Sequence, residues 1–432
     1  MTTTLVYGLA IAGRAVASEL VSRGEKVILV DDLDSSSHSE FAHSLNSEIR
    51  IRPTSVELAE LLQQSDRVVP APGVPETHEL FEVSRQMQKP VMSEIELAYQ
   101  IEQKSSSPRP MVAVTGTDGK TTTTLMAAAI LNSAGKKSLA VGNTETPLIA
   151  ALRSDAQAFS VECSSFRLAL TQTFRAKASV WLNFAPDHLD WHSSLNSYHE
   201  AKAKIWSHLM SSDVAVVPMH DQAITKVAKS SGARVVSFGA DSGDYHVCEM
   251  ARSLPHDVTN ALAAAAITIE AGLANTTQVA QALRNFVNAP HRIEFVAESD
   301  GVRWFNDSKA TSPHASSVAL NSFDSIVLIA GGKNKGLDLT QMAKDSKKVK
   351  AVVAIGSSAK EIAAAFSGVC EVQIAGSMRD AVNFASKLAT AGDVVLLSPG
   401  CASYDWYKNY GERGADFKNE VSALIKNKQI KN

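Results

Sequence analysis

The sequence predicts an α/β protein made of three consecutive domains, each built on a largely parallel sheet. Short runs of β-branched residues alternate with helical segments along almost the whole chain, which is the pattern of parallel α/β sheets. At 432 residues the chain is too long for one hydrophobic core. Its 45% hydrophobic and 20% charged residues are typical of a globular protein rather than a disordered one.

The predicted elements fall into three blocks. The first has a strand at Leu5–Tyr7, a helix that ends at Arg23 and a strand at Lys26–Val30. The second has strands at Phe159–Cys163, Val180–Asn183, Val214–Val217 and Arg234–Phe238, and a helix from Val258 to Ala271. The third has strands at Val302–Phe305, Ile326–Ala330, Val352–Ile355 and Val394–Leu397. Between the first two blocks, the Ser- and Pro-rich stretch 104–110 is the most linker-like segment.

Charge and cysteine content exclude several classes of protein. The 42 basic and 45 acidic residues give a net charge of −3, so the chain lacks the basic footprint of a nucleic-acid-binding protein. The four cysteines have no Cys-x-x-Cys spacing, which argues against a zinc ribbon or a disulfide framework and favours a reducing compartment. No apolar run reaches the ~18 residues of a membrane span, and the N-terminus lacks the basic region of a signal peptide. We therefore expect a cytoplasmic protein without membrane insertion.

The stretch 112–122, Val-Ala-Val-Thr-Gly-Thr-Asp-Gly-Lys-Thr-Thr, is the strongest functional motif. A strand runs into a glycine-flanked turn, and Lys120 and Thr121 then open an alanine-rich helix. Backbone N–H groups at a helix N-terminus attract anions, a lysine adds a cation for terminal phosphates, and a Thr hydroxyl can ligate Mg²⁺. Val114 stands where the strict phosphate-loop pattern has its first glycine, so the motif is the shorter Gly-Thr-x-Gly-Lys-Thr. We predict a nucleoside triphosphate site rather than an ordinary strand–turn–helix junction.

Another glycine turn, Gly8 to Gly13, follows the first strand. Ala10 replaces the middle glycine of the dinucleotide fingerprint, and because that glycine lets the backbone approach a pyrophosphate, a nicotinamide cofactor is disfavoured. This turn is still compatible with a looser contact to a nucleotide. Asp31, at the end of the next strand, is either a partner for a ribose or base or a solvated carboxylate. A further turn that contains Gly73 is expected on the same edge.

Polar residues also follow two strands of the second block. Glu162 lies at the carboxyl end of one predicted strand, and Asp187, His188 and Asp190 follow the next. Ligands of parallel sheets collect at the carboxyl ends of strands, where a carboxylate can hold Mg²⁺ against phosphate oxygens. Histidine is an unusual ligand for Mg²⁺, so a packing role for His188 stays open. Lys202, on a predicted helix, would by itself be a solvated charge.

Three strand ends of the third block carry cationic and hydroxyl groups. Lys309 and Thr311 follow one strand, Lys335 follows a second and Ser403 follows a third. If they lie on one edge, these donors suit a small anionic substrate, whereas each residue alone could be an ordinary surface residue.

Six motifs occur in a fixed order: Gly116–Thr121, Glu162–Phe166, Asp187–Asp190, His291–Glu294, Asn306–Thr311 and Leu397–Ser403. Together they resemble the Mur ligases of peptidoglycan synthesis, and the resemblance covers essentially the whole chain. It implies a Rossmann-like domain at 1–93 that binds the UDP sugar, a central P-loop ATPase domain at 94–290 and a Rossmann-like domain at 291–432 that receives the amino acid. The stretch 104–110 would then be a loop inside the central domain.

The resemblance also implies the roles of single residues. ATP would contact the loop residues Gly116, Thr117, Asp118, Gly119, Lys120, Thr121 and Thr122, together with Asn260, Arg292 and Asp307. Two Mg²⁺ sites would involve Thr121, Glu162, His188 and a carbamylated Lys202. The substrates would contact Ile11, Ala12, Asp31, Gly73, Asn143, Thr311, Lys335, Ser403 and Tyr410. The catalytic groups would be Lys120, His188, Lys202 and Lys309.

The implied reaction is ATP-dependent amide ligation by a cytoplasmic monomer with a mobile third domain. The carboxylate of UDP-N-acetylmuramoyl-L-alanine would attack the γ-phosphate to give an acyl phosphate and ADP. The amine of D-glutamate would then attack the acyl carbon and release phosphate.

Five residues depart from the common motifs of that family. Asp118 stands where asparagine is common, Thr144-Glu145 alters the turn after Asn143, Asp257 replaces an asparagine and Ala12 replaces a hydroxyl residue. None of these changes removes a group that the reaction requires.

Two alternatives stay open. The first is another amino-acid-adding Mur ligase or a folylpolyglutamate-type ligase; the extra N-terminal block argues against the folylpolyglutamate type, and the missing Asp-Asn-Pro-Arg signature argues against the diamino-acid-adding enzymes. The second is a catalytically silent relative that only binds nucleotide. The presence of Lys120, Glu162, His188, Arg292 and Lys309 argues against it.

Overall fold

The structure is a computed structural model that describes residues 2–189, 191–239, 245–247, 250, 253–344 and 346–431. Asp190, the last residue of the Asp187–Asp190 motif, and Cys248 lie outside these residues. The chain divides into two compact units, Met1–Ser253 with Asp257–Phe286 and Leu254–His256 with Val287–Asn432. Three sheets run through the units, and nearly all of their strand pairs are parallel, which confirms the predicted α/β class.

The first sheet has four parallel strands in the order β3-β2-β1-β4. The strands are β1 (Thr3–Tyr7), β2 (Lys26–Asp31), β3 (Ile49–Ile51) and β4 (Arg67–Pro70). The helices are α1 (Ile11–Ser22), α2 (Ser36–Ser44), α3 (Ser55–Gln63), α4 (Glu79–Gln86) and α5 (Glu94–Gln103). At the turn between β1 and α1, a Cβ on Gly13 would lie 1.8 Å from the Gly8 carbonyl oxygen, so this close approach requires glycine.

The second sheet has six parallel strands in the order β10-β9-β8-β5-β7-β6. The strands are β5 (Met111–Thr115), β6 (Ser138–Gly142), β7 (Ala158–Glu162), β8 (Ala178–Trp181), β9 (Val214–Pro218) and β10 (Arg234–Phe238). The helices are α6 (Lys120–Ser133), α7 (Leu148–Ala151), α8 (Ser165–Ala169), α9 (Leu195–Ala203), α10 (Gln222–Lys229), α11 (Pro255–Glu270) and α12 (Thr276–Arg284). Val112, Val114 and Val180 on the two central strands are fully buried, as expected for strands covered on both faces.

The third sheet has the order β11-β12-β16-β13-β14-β15, and its edge strand β11 is antiparallel to β12. The strands are β11 (Glu294–Ser299), β12 (Val302–Asn306), β13 (Ile326–Gly331), β14 (Val349–Ile355), β15 (Glu371–Ile374) and β16 (Val394–Leu397). The helices are α13 (Pro313–Leu320), α14 (Gln341–Lys344), α15 (Ala359–Ala365), α16 (Met378–Leu388) and α17 (Tyr410–Lys431). Across the residues that the structure describes, no helix is both long enough and apolar enough to span a bilayer.

A carboxylate anchors α5 to the loop after α8. Glu96 is fully buried, and its oxygens accept hydrogen bonds from the backbone N–H groups of Gln172 (3.0 Å) and Phe174 (2.9 Å) and from the Thr173 hydroxyl (2.6 Å). Burial alone would raise the pKa of Glu96, but these hydrogen bonds lower it below its usual value. The ionised form is therefore favoured by the folded state.

We expect Glu96→Gln to lower the free energy of unfolding by about 1–3 kcal/mol at neutral pH, because an amide replaces one acceptor oxygen with a donor. The folded-state pKa lies below the unfolded-state value, so the contribution is complete above the unfolded pKa and is lost as pH falls through the folded pKa. Urea unfolding at neutral and acidic pH measures this difference. The exposed Glu40→Gln is the matched control, and an equal loss at acidic pH would contradict the explanation.

Candidate active site

Four neighbouring strands of the second sheet end at one edge, where predicted ATP, metal and substrate residues lie beside Asn183, which was not predicted. In the sheet order β8-β5-β7-β6, Asn183 follows β8, the phosphate-loop motif follows β5, Glu162 ends β7 and Asn143 follows β6. Strand β8 ends two residues earlier than the sequence predicts, so Asn183 lies in a loop rather than in the strand. Carboxyl ends of parallel strands are where α/β proteins bind ligands.

The phosphate-loop motif forms a tight turn between β5 and α6. Gly119 precedes the first helical residue with φ of +82°, a conformation that favours glycine. A Cβ at this position would lie 2.3 Å from Oδ1 of Asn260, which also accepts a hydrogen bond from Thr123 Oγ1 at 3.3 Å. The structure thus places Asn260, a predicted nucleotide contact on α11, directly against the turn.

Asn183 holds the same turn from the neighbouring strand end. Its Oδ1 accepts hydrogen bonds from the backbone N–H groups of Thr117 (3.0 Å) and Asp118 (2.9 Å), and its Nδ2 donates to the Asp118 carbonyl at 3.1 Å. Two backbone N–H groups of the loop therefore donate hydrogen bonds to a side chain of the protein. If the motif bound phosphate through all its backbone N–H groups, these two would instead donate to the phosphate. Asn183 was not predicted as a functional residue, although an amide side chain just after a central strand was a usable signal.

Two lysines converge on the carbonyl of Gly116. Lys120 Nζ donates to Gly116 O at 3.0 Å and to Thr117 O at 2.7 Å, and Lys202 Nζ donates to Gly116 O at 2.6 Å. Lys202 is 1% exposed and its ammonium lies 4.4 Å from the ring centroid of Tyr198. The prediction made from the predicted helix alone, that Lys202 is a solvated surface charge, is therefore wrong.

Burial lowers the pKa of Lys202 well below its ordinary value, and the nearby Lys120 charge lowers it further. Asp187, Asp118 and Glu162 act in the opposite direction, because negative charge favours the ammonium form. The site thus contains a buried amine that loses its proton more readily than an ordinary lysine.

Glu162 is a buried carboxylate with one oxygen engaged. Its Oε1 accepts a hydrogen bond from Asn143 Nδ2 at 3.0 Å, and Asn143 Oδ1 in turn accepts one from Arg167 Nη1 at 2.5 Å. Arg167 pairs with buried Glu94 at 3.4 Å. Among the described residues, Oε2 of Glu162 has no hydrogen-bond partner although it is buried, and such an atom usually meets an ion or water.

His188 lies on the loop after β8 in a strained backbone conformation. Its φ of +55° is uncommon for a residue other than glycine, and its side chain is 34% exposed. Nε2 lies 3.3 Å from Asp187 Oδ2, and the ring meets Phe166 edge-on with centroids 4.7 Å apart. In the part of the chain that the structure covers, no three His, Cys, Asp or Glu side chains are arranged to hold a metal ion by themselves.

The residues predicted to contact the UDP sugar lie at the carboxyl edge of the first sheet. Ile11 is 69% exposed and Ala12 is buried at the start of α1, while Gly73 lies exposed in the loop after β4. Asp31 is buried and accepts hydrogen bonds from the backbone N–H groups of Leu9 (2.5 Å) and Leu33 (2.8 Å). Asp31 therefore fixes the glycine turn, and it is not the solvated carboxylate that one interpretation of the sequence allowed.

In the second unit, Arg292 sits between two strained residues. His291 has φ of +65° and the β-branched Ile293 has φ of +47°, an outlier for that residue type. The Ile293 N–H donates to Asp307 Oδ1 at 3.2 Å, and Asp307 Oδ2 accepts from the Ser398 hydroxyl at 2.8 Å. Asp307 thus ties the strained turn to the end of β16, and backbone strain of this kind concentrates at functional sites.

The predicted acceptor residues follow β12, β13 and β16, which are neighbours in the third sheet. Lys309 Nζ lies 3.8 Å from the ring centroid of Tyr410, Thr311 and Lys335 are half-buried, and Ser403 is buried. The structure therefore brings Lys309 and Tyr410 into contact, which sequence spacing alone could not show.

Arg413 joins the loops that carry these residues and was not predicted. It is 1% exposed and donates to Ser308 Oγ (3.0 Å), Ser308 O (2.8 Å), Cys401 O (3.0 Å) and Ala402 O (3.3 Å). Burial lowers the pKa of Arg413 to about 10, although the guanidinium stays charged at neutral pH. Its position on α17, far along the chain from Ser308, left no signal in the sequence.

Comparison with known proteins shows the family of the chain. The model of the Mur ligase middle domain matches residues 114–257, and that of the Mur ligase, glutamate ligase domain matches residues 291–401. The chain is 38% identical over 451 residues to the UDP-N-acetylmuramoylalanine–D-glutamate ligase of Frankia casuarinae, covering 97% of this chain and 93% of that protein. It is also 38% identical over 459 residues to the protein of the same name from Pelotomaculum thermopropionicum, covering 98% of each.

A solved structure shares the fold. UDP-N-acetylmuramate-alanine ligase from Thermotoga maritima aligns with a TM-score of 0.59 at 19% identity, over 98% of this chain and 100% of that one. With both family models matched in order and relatives alike over nearly their full length, the chain belongs to the Mur ligase family and groups, as a ligase, with the UDP-N-acetylmuramoylalanine–D-glutamate ligases.

Proposed function

We propose that this chain joins D-glutamate to UDP-N-acetylmuramoyl-L-alanine with ATP, through an acyl phosphate, as a cytoplasmic monomer. The observation that carries the proposal is the group of Lys120, Lys202 and Glu162 around the phosphate-loop turn. Such a turn with a lysine suits the phosphates of a nucleoside triphosphate. The names of the full-length relatives supply the two other substrates.

The residues around the turn fit magnesium. Oε2 of Glu162, which has no hydrogen-bond partner among the described residues, would bind a cation or water, and the Thr121 hydroxyl at the start of α6 would be a second oxygen donor. His188 and a carbamylated Lys202 would complete two sites together with phosphate oxygens. Magnesium bound there would neutralise charge on the phosphoryl oxygens.

The chain's own residues supply positioning and charge. Lys120 is the cation assigned to the terminal phosphates, and Asn183 and Asn260 fix the turn that carries it. Asn143 orients Glu162 from the neighbouring strand end and is also assigned to the UDP sugar. Phosphoryl transfer depends mainly on such positioning and on electrostatic stabilisation.

The remaining assignments follow the three sheets. We propose a UDP-sugar domain at 1–93 with Ile11, Ala12, Asp31 and Gly73, and a central ATPase domain at 94–290. The third domain, 291–432, would offer Arg292 and Asp307 to the nucleotide. Lys309, Thr311, Lys335, Ser403 and Tyr410 would serve the acceptor amino acid.

Truncation of Lys335 should weaken acceptor binding selectively. D-glutamate brings two carboxylates, and a lysine is a strong point anchor for one of them. We expect Lys335→Ala to raise the KM for D-glutamate by about 10- to 100-fold, which corresponds to about 1.5–3 kcal/mol for a charged hydrogen bond, while the KM for ATP changes little. Lys333→Ala is the matched control, because Lys333 lies in the same loop with an exposed side chain. An unchanged KM for D-glutamate would remove Lys335 from the acceptor site.

An acceptor screen tests the proposed reaction. With ATP and UDP-N-acetylmuramoyl-L-alanine, ADP release should require D-glutamate among the amino acids offered. Release with L-lysine or a diamino acid instead would indicate another Mur ligase, and release with a folate substrate would indicate the folylpolyglutamate type. A protein that binds ATP but releases no ADP with any acceptor would be the catalytically silent relative.

A further inference from the structure

A chain of three polar side chains joins two loops of the first unit. His192 Nε2 lies 2.8 Å from the Ser165 hydroxyl, and its Nδ1 lies 3.4 Å from Oε2 of Glu76. The other oxygen of Glu76 accepts a hydrogen bond from the Ser193 hydroxyl at 2.6 Å. The Ser165 contact is a hydrogen bond, whereas the approach of Nδ1 to Glu76 is within ion-pair distance but outside hydrogen-bond geometry.

The order serine, histidine, carboxylate is that of a hydrolytic triad, but burial excludes that chemistry here. Ser165 and His192 are each 2% exposed, so no carbonyl substrate can reach the hydroxyl. Ser165 also lies inside the first turn of α8, directly after the residue that caps it. The three side chains therefore stabilise the two loops and do not act as a nucleophilic triad.

His192, in the middle of this row of side chains, lies in the turn that carries His188. The backbone N–H groups of Trp191 and His192 both donate to the His188 carbonyl, at 3.1 Å and 3.0 Å. Phe166 stacks on His192 at 5.7 Å and meets His188 edge-on at 4.7 Å. Because His188 occupies a strained left-handed conformation, its orientation depends on such external supports.

Glu76, at the other end of the row of side chains, lies in the loop assigned to the UDP sugar. Glu76 lies three residues after Gly73, in the segment between β4 and α4. Its carboxylate contacts His192 and Ser193, which belong to the loop between β8 and α9. The Gly73 loop and the loop that carries His188 are thus joined by the Glu76–Ser193 hydrogen bond and by the close approach of Glu76 to His192.

We propose that Glu76 and His192 are positioning residues that couple occupancy of the UDP-sugar site to the placement of His188. The coupling rests on the proposed function. It predicts that sugar binding restricts His188 before any phosphate is transferred. It also predicts that breaking the contact weakens sugar binding and slows turnover together, while the phosphate-loop turn itself keeps its affinity for nucleotide.

Glu76→Ala removes both contacts, and Glu76→Gln keeps one acceptor oxygen. We expect Glu76→Ala to weaken binding of UDP-N-acetylmuramoyl-L-alanine, measured calorimetrically without ATP, by about 10-fold and to lower kcat by a similar factor, with Glu76→Gln intermediate. Affinity for an ATP analogue should stay within about twofold. Glu79→Ala is the matched control, because its exposed carboxylate contacts Ser55 instead.

Histidine NMR separates coupling from a general loss of structure. In the wild type, addition of the UDP sugar should shift the ring resonance of His188, and in Glu76→Ala the shift should be lost although the thermal midpoint is kept. His192→Gln should reproduce the effect, and the double variant should add little to the larger single change. A normal His188 shift in Glu76→Ala, or sugar affinity equal to that of Glu79→Ala, would overturn the proposal. If the wild type binds no UDP sugar at all, the proposed function fails instead.

Discussion

Lys120→Ala should abolish ATP turnover and leave the fold intact. Within the described part of the chain, the Lys120 ammonium donates to the carbonyls of Gly116 and Thr117, and both carbonyls belong to the turn itself. Its removal deprives the terminal phosphates of the cation at the N-terminus of α6, where charge develops during transfer. Loss of one such stabilising group usually lowers kcat by about 10²–10³-fold or more.

Steady-state ADP release in the presence of both co-substrates measures this effect. Lys137→Ala is the matched control, because Lys137 is an exposed lysine in the loop between α6 and β6 and pairs with Asp155 at the surface. Such surface pairs contribute little. Wild-type ADP release by Lys120→Ala with an unchanged melting curve would show that this turn is not the phosphate site.

The alternation of apolar strands and helices was sufficient to predict the α/β class and most strands of the three sheets. β10 and β16 have the predicted bounds, whereas β8 begins and ends two residues earlier than predicted. Hydrophobicity cannot fix such an end, because the chain leaves the sheet where Asn183 finds hydrogen bonds in the phosphate-loop turn. Those partners lie 65 and 66 residues away in the chain.

The sequence suggested residue types for the candidate site, but it could not show their contacts. The motif around Lys120 indicated phosphate binding from local spacing alone. The burial of Lys202 was hidden, because only the packing of α9 against the turn takes its amine out of water. Arg413 and Glu76 contact loops that are distant in sequence. Such long-range contacts cannot be predicted from a single sequence.

Lys202→Ala should be nearly inactive, and short carboxylic acids should restore part of its activity. A neutral lysine amine reacts with carbon dioxide to give a carbamate, which places a negative group where an ammonium would repel a metal ion. Burial and the neighbouring Lys120 lower the pKa of Lys202, so a larger fraction of its amine is neutral at physiological pH than for an exposed lysine. Below that lowered pKa the amine is protonated and cannot react, so the carbamate should be lost as the solution is acidified.

Two measurements distinguish a carbamate from a merely structural lysine. With ¹³C-bicarbonate, the wild type should show a carbamate carbon resonance that Lys202→Ala lacks. Acetate or formate should raise the activity of Lys202→Ala but not that of Lys120→Ala. Lys204→Ala is the matched control, since this half-buried lysine of the same segment donates to Ala169 O at 2.5 Å and should keep both the resonance and activity. If the wild type shows no such resonance and carboxylates restore no activity, the carbamate hypothesis is wrong. Lys202 would then be a cation that donates a hydrogen bond to the Gly116 carbonyl, the 2.6 Å contact seen in the structure.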